Sequence, residues 1–162
     1  MAKKNDTELP GEAPSPRVDS WARRRTRRVL MQGLYQWQMT GASASRIEQN
    51  LEAAKSLKRI DRTYLRELLG QIITGHEALD QLIEPVLDRE LSQLDKVELA
   101  ILRLAVFELS ERIDVPYRVV IDEAVQLAKE FGAEDSHKYI NGVLDKLAKT
   151  LRQVETGADG RV

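Results

Sequence analysis

From Asp19 onward the apolar residues recur at intervals of three and four, and no segment sustains the alternation of a half-buried strand. The pattern predicts an all-α fold of six or seven helices. A first helix starts at Asp19 or Ser20, either of which can cap it, buries Leu30, Leu34 and Trp37, and stops at Gly41. Ser45-Arg-Ile-Glu48 has capping-box spacing and opens a second helix to about Lys55, with Ile47 and Leu51 inward. A third begins after Asp61 and carries a stripe from Leu65 through Ile72 to Ile83, where Pro85, lacking an N–H, ends or kinks it. Leu87, Leu91 and Leu94 predict a short helical turn. Asp95-Lys-Val-Glu98 is a second capping box, and the helix it opens, to about Arg112, is apolar on nearly every side and so is predicted to be central. Pro116 suits the first turn of the next helix, which ends at Phe131 with Gly132 as a left-handed stop. Asp135 or Ser136 then caps a last helix with the stripe Ile140, Val143, Leu144, Leu147 and Leu151.

A length of 162 residues favours one domain, and 42% hydrophobic with 31% charged residues is ordinary globular composition. Residues 1–18 hold Pro10, Gly11, Pro14 and Pro16 but few large aliphatics, too little to offset the entropy of ordering, so a disordered leader is expected there. The helical domain then covers 19–154, and 155–162, with Gly157 and Gly160, reads as a frayed tail. The absence of cysteine removes disulfides, thiol nucleophiles and thiolate metal sites, and fits a reducing compartment, for which the cytoplasm is the expectation. No apolar run approaches the roughly 20 residues a membrane span needs, and the N-terminal lysines precede no signal-peptide core. Zinc, phosphate-loop and dinucleotide motifs do not occur, so neither metal nor cofactor is expected. Asp135-Ser136-His137 cannot act as a hydrolytic triad, because adjacent helical residues diverge by about 100°.

Charge changes this picture. Residues 1–28 carry eight Lys or Arg against four acids, a net of +4, leaving −5 for the rest of a chain whose net charge is −1. Arg23, Arg24, Arg25, Arg27 and Arg28 fall within six positions. Such a run is either a solubilising or localisation-like basic terminus or a phosphate-binding one, since the guanidinium fork matches phosphate oxygens. The helical wheel places Arg24, Arg28 and Tyr35 on one face opposite Leu30, Leu34 and Trp37, with Gln32 beside it. Cations, an amide and an aromatic together suit single-stranded RNA, whose bases stack on rings while its phosphates pair with arginine.

A second constellation lies in residues 131–142. Asp135 reads as a structural cap, yet Lys138, Tyr139 and Asn141 exceed what capping needs. Phe131 and Tyr139 are stacking candidates, with a core role competing for Phe131.

Read together, Arg-Arg-Arg-Thr-Arg followed by Gln32-Gly-Leu-Tyr35-Gln-Trp37, the segment Val97-Glu-Leu-Ala-Ile-Leu-Arg103-Leu-Ala-Val-Phe-Glu-Leu, Val115-Pro-Tyr, and Phe131-Gly-Ala-Glu-Asp-Ser-His-Lys-Tyr-Ile-Asn-Gly-Val-Leu-Asp145-Lys resemble the NusB family of bacterial transcription antitermination factors over roughly residues 20–152. The resemblance implies two packed three-helix bundles and a partner, the ribosomal protein NusE. It implies binding of boxA RNA by the pair, within a complex on RNA polymerase with NusA and NusG, chiefly at ribosomal RNA operons. Matched by position, the RNA surface would be Arg23, Arg24, Arg25, Arg27, Arg28, Gln32, Tyr35, Phe131, Asp135, Lys138 and Tyr139, and the NusE contact would include Glu98 and Arg103. For those last two, an internal salt bridge is the competing reading. The long leader departs from the family pattern.

Two other function classes compete with a non-enzymatic RNA-binding adaptor. One is the RNA-binding part of an RNA-modifying enzyme, for whose catalytic domain 162 residues leave no room. The other is a helical scaffold or homodimer without RNA. If four to six arginines met phosphates, log affinity would fall with log salt at a slope of roughly −3 to −4.

Overall fold

Helices alone form among residues 16–157, the part of the chain that the computed structural model describes. Of the leader expected over residues 1–18 and the tail expected over 155–162, residues 1–15 and 158–162 lie outside the described residues, while 16–18 belong to the first helix and 155–156 to the last. Helices α1 (Pro16–Thr40), α2 (Ala44–Ala53) and α3 (Arg62–Thr74) pack as one three-helix bundle, and α5 (Lys96–Glu111), α6 (Tyr117–Phe131) and α7 (Ser136–Leu151) as another. α1 lies along α5 and joins the two, while α4 (His76–Ile83) packs on α5 and a short α8 (Gln153–Thr156) follows α7. All residues of α5 from Glu98 to Leu109 are buried, which gives this helix the central position that its apolar circumference predicts.

The helix boundaries differ from the sequence expectation where two local signals compete. α1 begins at Pro16, whose fixed φ suits a first helical turn, so Asp19 and Ser20 lie inside the helix. Ser43, not Ser45, caps α2 by accepting from the Arg46 N–H at 3.1 Å, and Glu48 is left to pair with Arg66. The continuous stripe predicted from Asp61 to Pro85 divides at Gly75, whose backbone leaves the helical region (φ −101°, ψ 20°), and Pro85 sits in a 3-10 turn, Glu84–Val86. The hydrophobic period runs straight through that break because both halves face the same core. Asp61 caps α3 as expected, accepting from the Tyr64 N–H at 3.1 Å. Leu91–Gln93 form the predicted short turn, Pro116 caps α6 rather than entering it, and Glu155 is held by Arg152 and by the Tyr117 N–H.

Gly132 is extended (φ −92°, ψ 175°), not left-handed; Asp135 takes the left-handed turn at φ 75°. An aspartate tolerates that region better than most residues. Glycine is needed at 132 for closeness instead: an added Cβ would lie 2.8 Å from the Ala128 carbonyl oxygen and 3.0 Å from the Ser136 Cβ.

Two buried arginines connect the helices. Arg27 of α1, 4% exposed, donates through Nε and Nη2 to both carboxylate oxygens of Glu108 on α5 at 3.0 Å each, and the Tyr64 hydroxyl of α3 donates to the same carboxylate. Arg152 at the end of α7 donates to the carbonyls of Leu109 (2.7 Å), Glu108 (3.1 Å) and Arg112 (2.9 Å), gathering the carbonyl groups at the C-terminus of α5 around one guanidinium.

Burial, with the Glu108 carboxylate beside it, raises the Tyr64 phenol above the ordinary tyrosine range. A phenol raised in the folded state stabilises fully below the unfolded value, near ~10, and that contribution is lost as pH climbs through the higher folded value. The alkaline decline in stability should therefore be shallower in Tyr64→Phe than in the wild type; superimposable pH–stability curves would count against this. Arg27→Ala leaves Glu108 buried without its cation and should cost about 3–5 kcal/mol by chemical denaturation. Gly132→Ala should cost roughly 1–3 kcal/mol, read the same way, because a backbone oxygen must give way.

Candidate nucleic-acid interface

The five clustered arginines leave α1 in three directions, as residues about 100° apart must. Arg23 stacks over the Tyr64 ring, its guanidinium carbon 3.7 Å from the centroid and its Nη2 3.8 Å from Asp61, while Arg25 donates to the Arg59 carbonyl at 2.7 Å. Both are half-buried and turned toward the α2–α3 side. Arg27, also expected at the RNA surface, points inward and is paired with Glu108 in the core. Only Arg24 and Arg28 present half-exposed side chains, at 52% and 47%, both toward α6.

Each of these two meets a carboxylate there. Arg24 donates through Nη2 to Glu123 at 2.9 Å, and Arg28 lies 2.6 Å from Glu130 with its guanidinium 5.6 Å from the Phe131 ring centroid. The Glu123 hydrogen bond and charge raise the Arg24 pKa. The two acids are seven residues apart and share one face of α6. Sequence reading missed them, since nothing in the spacing says which helix that face opposes.

Next to Arg28 an open groove of about 350 Å³ runs between α1, the end of α2, the start of α5 and the end of α6. Gln32, Tyr35 and Phe131 line it, over an apolar floor that includes Met31, Leu51 and Val97. Three expected residues from two distant segments thus share one concavity. Phe131 is half-buried, packed on the core on one side and open to the groove on the other, so its core and surface readings both describe it.

The turn between α6 and α7 continues from Phe131. Asp135 makes no side-chain cap; it is exposed and lies 3.5 Å from Lys138 Nζ, also exposed. Tyr139 leans the other way. Its hydroxyl donates to Asp88 at 3.2 Å and Arg89 sits 4.4 Å over its ring, in the connection between α4 and α5. Burial and the neighbouring Asp88 raise the Tyr139 phenol, whereas Arg89 holds Asp88 below the usual carboxylate range.

Glu98 and Arg103 are buried, at 9% and 7% exposure, and each has a partner inside the fold. Glu98 accepts from the Ser136 hydroxyl at 2.6 Å and leaves Asp95 to cap α5 alone, so the predicted reciprocal box is only half made. Arg103 forms an internal salt bridge to Asp80 (2.8 and 3.0 Å), donates to Gln38 at 3.1 Å and lies 5.1 Å from the Trp37 ring centroid. Both charges are therefore paired within the fold, as a charge on an enclosed helix must be. His76 is likewise committed, its Nδ1 2.9 Å from the Ile73 carbonyl and its ring edge-on to Trp37.

The comparisons with known proteins agree with this architecture. Residues 24–149 match the sequence profile of the NusB family. A protein of Acinetobacter baumannii (strain AYE) named transcription antitermination protein NusB is 53% identical over 134 residues, covering 83% of this chain and 90% of the relative. One of the same name from Alcanivorax borkumensis is 54% identical over 134 residues, covering 83% and 89%. A solved structure of T. maritima NusB superposes with a TM-score of 0.68 at 34% identity, over 78% of this chain and 89% of that one. With its arginine pole, its enclosed central helix and these relatives, the chain belongs to the NusB family.

Proposed function

We propose that this chain is a transcription antitermination factor that binds boxA RNA together with NusE and helps assemble, with NusA and NusG, an antitermination complex on RNA polymerase, chiefly at ribosomal RNA operons. It works in the cytoplasm by binding, without catalysis. The reading is carried by one observation: Gln32 and Tyr35 of α1 and Phe131 of α6 line a single groove with Arg28 laid across the Phe131 ring. An apolar floor, two rings and an amide can hold an unstacked base, and the cations at the rim can hold the phosphates on either side of it. Lys138 and Asp135 stand beside the same helix junction and extend this surface toward α7. Glu98 and Arg103 serve the NusE contact indirectly, by fixing Ser136, Asp80 and Gln38.

Arg24, Arg28 and Lys138 are the exposed cations of this surface, each on a solvent-facing ion pair, so with one phosphate at each a boxA RNA titration should give a log–log salt slope of about −2, shallower than five engaged arginines would require. A slope indistinguishable from zero contradicts the phosphate role. Tyr35→Ala should cost about 1–3 kcal/mol of RNA affinity with little change in melting temperature, since the ring is exposed. NusE should tighten RNA binding in the same titration; an unchanged affinity would leave a free-standing RNA binder.

A further inference from the structure

We propose that Glu130 is a built-in competitor for the RNA backbone: its carboxylate occupies Arg28 in the free protein, and a phosphate must displace it. This rests on the RNA-binding reading above and concerns what sets the strength of that binding. Arg28 Nη2 lies 2.6 Å from Glu130, close enough for a charge-assisted hydrogen bond, and the two side chains are 47% and 40% exposed. A pair this open is weak and exchanges readily, so it can be opened by a ligand without unfolding anything. Arg28 also lies against the Phe131 ring, which lines the groove, so the pair sits at the groove's rim. A carboxylate and a phosphate present the guanidinium with the same chemistry, two anionic oxygens matched to its fork of donors.

The neighbouring pair is built differently. Glu123 is only 12% exposed and receives Arg24 through both Nε and Nη2, so it resists displacement and keeps Arg24 oriented toward α6. The basic pole therefore delivers less free charge than its arginine count implies, with Glu130 holding the more readily released cation.

Salt screens the exposed Arg28–Glu130 pair as well as the contact between Arg28 and phosphate, so while the carboxylate competes, part of the salt dependence of RNA binding is offset. Removing the carboxylate should remove that offset. The experiment titrates a boxA RNA and an oligouridylate of equal length into wild type, Glu130→Gln, Arg28→Ala and the double variant, at several salt concentrations, with melting temperatures measured alongside. Glu130→Gln should bind both RNAs about two- to fivefold more tightly at low salt, with a salt slope steeper by up to about 0.7, and the gain should vanish in the Arg28→Ala background. Wild-type binding with no gain in Glu130→Gln, or with a loss, overturns the inference while leaving the RNA reading intact; a loss would make Glu130 a positioning residue for Arg28. A gain that persists without Arg28, or one confined to boxA, overturns it too. Failure of every protein to bind either RNA sinks the RNA reading itself, and this inference with it.

Discussion

The bidentate pair between Arg27 and Glu108, with the Tyr64 hydroxyl on the same carboxylate, is the constraint on which the rest of the architecture hangs. It takes one group from each of α1, α3 and α5 and so ties the first bundle to the second. Ions buried this far cannot be left unpaired without a large desolvation cost, so only arrangements that bring all three groups together are admissible. Apolar packing alone tolerates sliding and rotation between helices; a forked, doubly hydrogen-bonded pair does not.

That constraint also sets the roll of α1. With Arg27 turned to Glu108, Arg24 and Arg28 must emerge toward α6, and Gln32 and Tyr35, one and two turns further along, open onto the groove beside Phe131. The core interaction and the candidate RNA surface are therefore two sides of the same helix. The arginine run divides its work accordingly: one residue holds the fold together, two lie half-buried against the α3 side, and two remain at the rim.

A similar division operates where α6 meets α7. Gly132 allows a close approach of the turn to α6, Asp135 absorbs the left-handed backbone, and Ser136 is anchored by Glu98 of the central helix. Glu98 thus fixes the helix start from below and leaves Asp135 and Lys138 in solvent. Each charge inside the otherwise apolar helix holds a partner within the fold.

The all-α class, the buried central helix, most helix ends and the outward face of Arg24, Arg28, Gln32 and Tyr35 were legible in the chain itself, because periodicity and capping depend on neighbours three or four residues away. The NusB resemblance was carried by the linear motifs of α1, α5 and α7. What only the tertiary structure decided were contacts between residues distant in sequence: Arg27 with Glu108, Glu98 with Ser136, Arg103 with Asp80, and the Glu123 and Glu130 partners of the exposed arginines. A residue's charge and periodic position say which side of its own helix it occupies. Whether that side meets solvent or an oppositely charged group depends on how the helices pack, which no local spacing encodes.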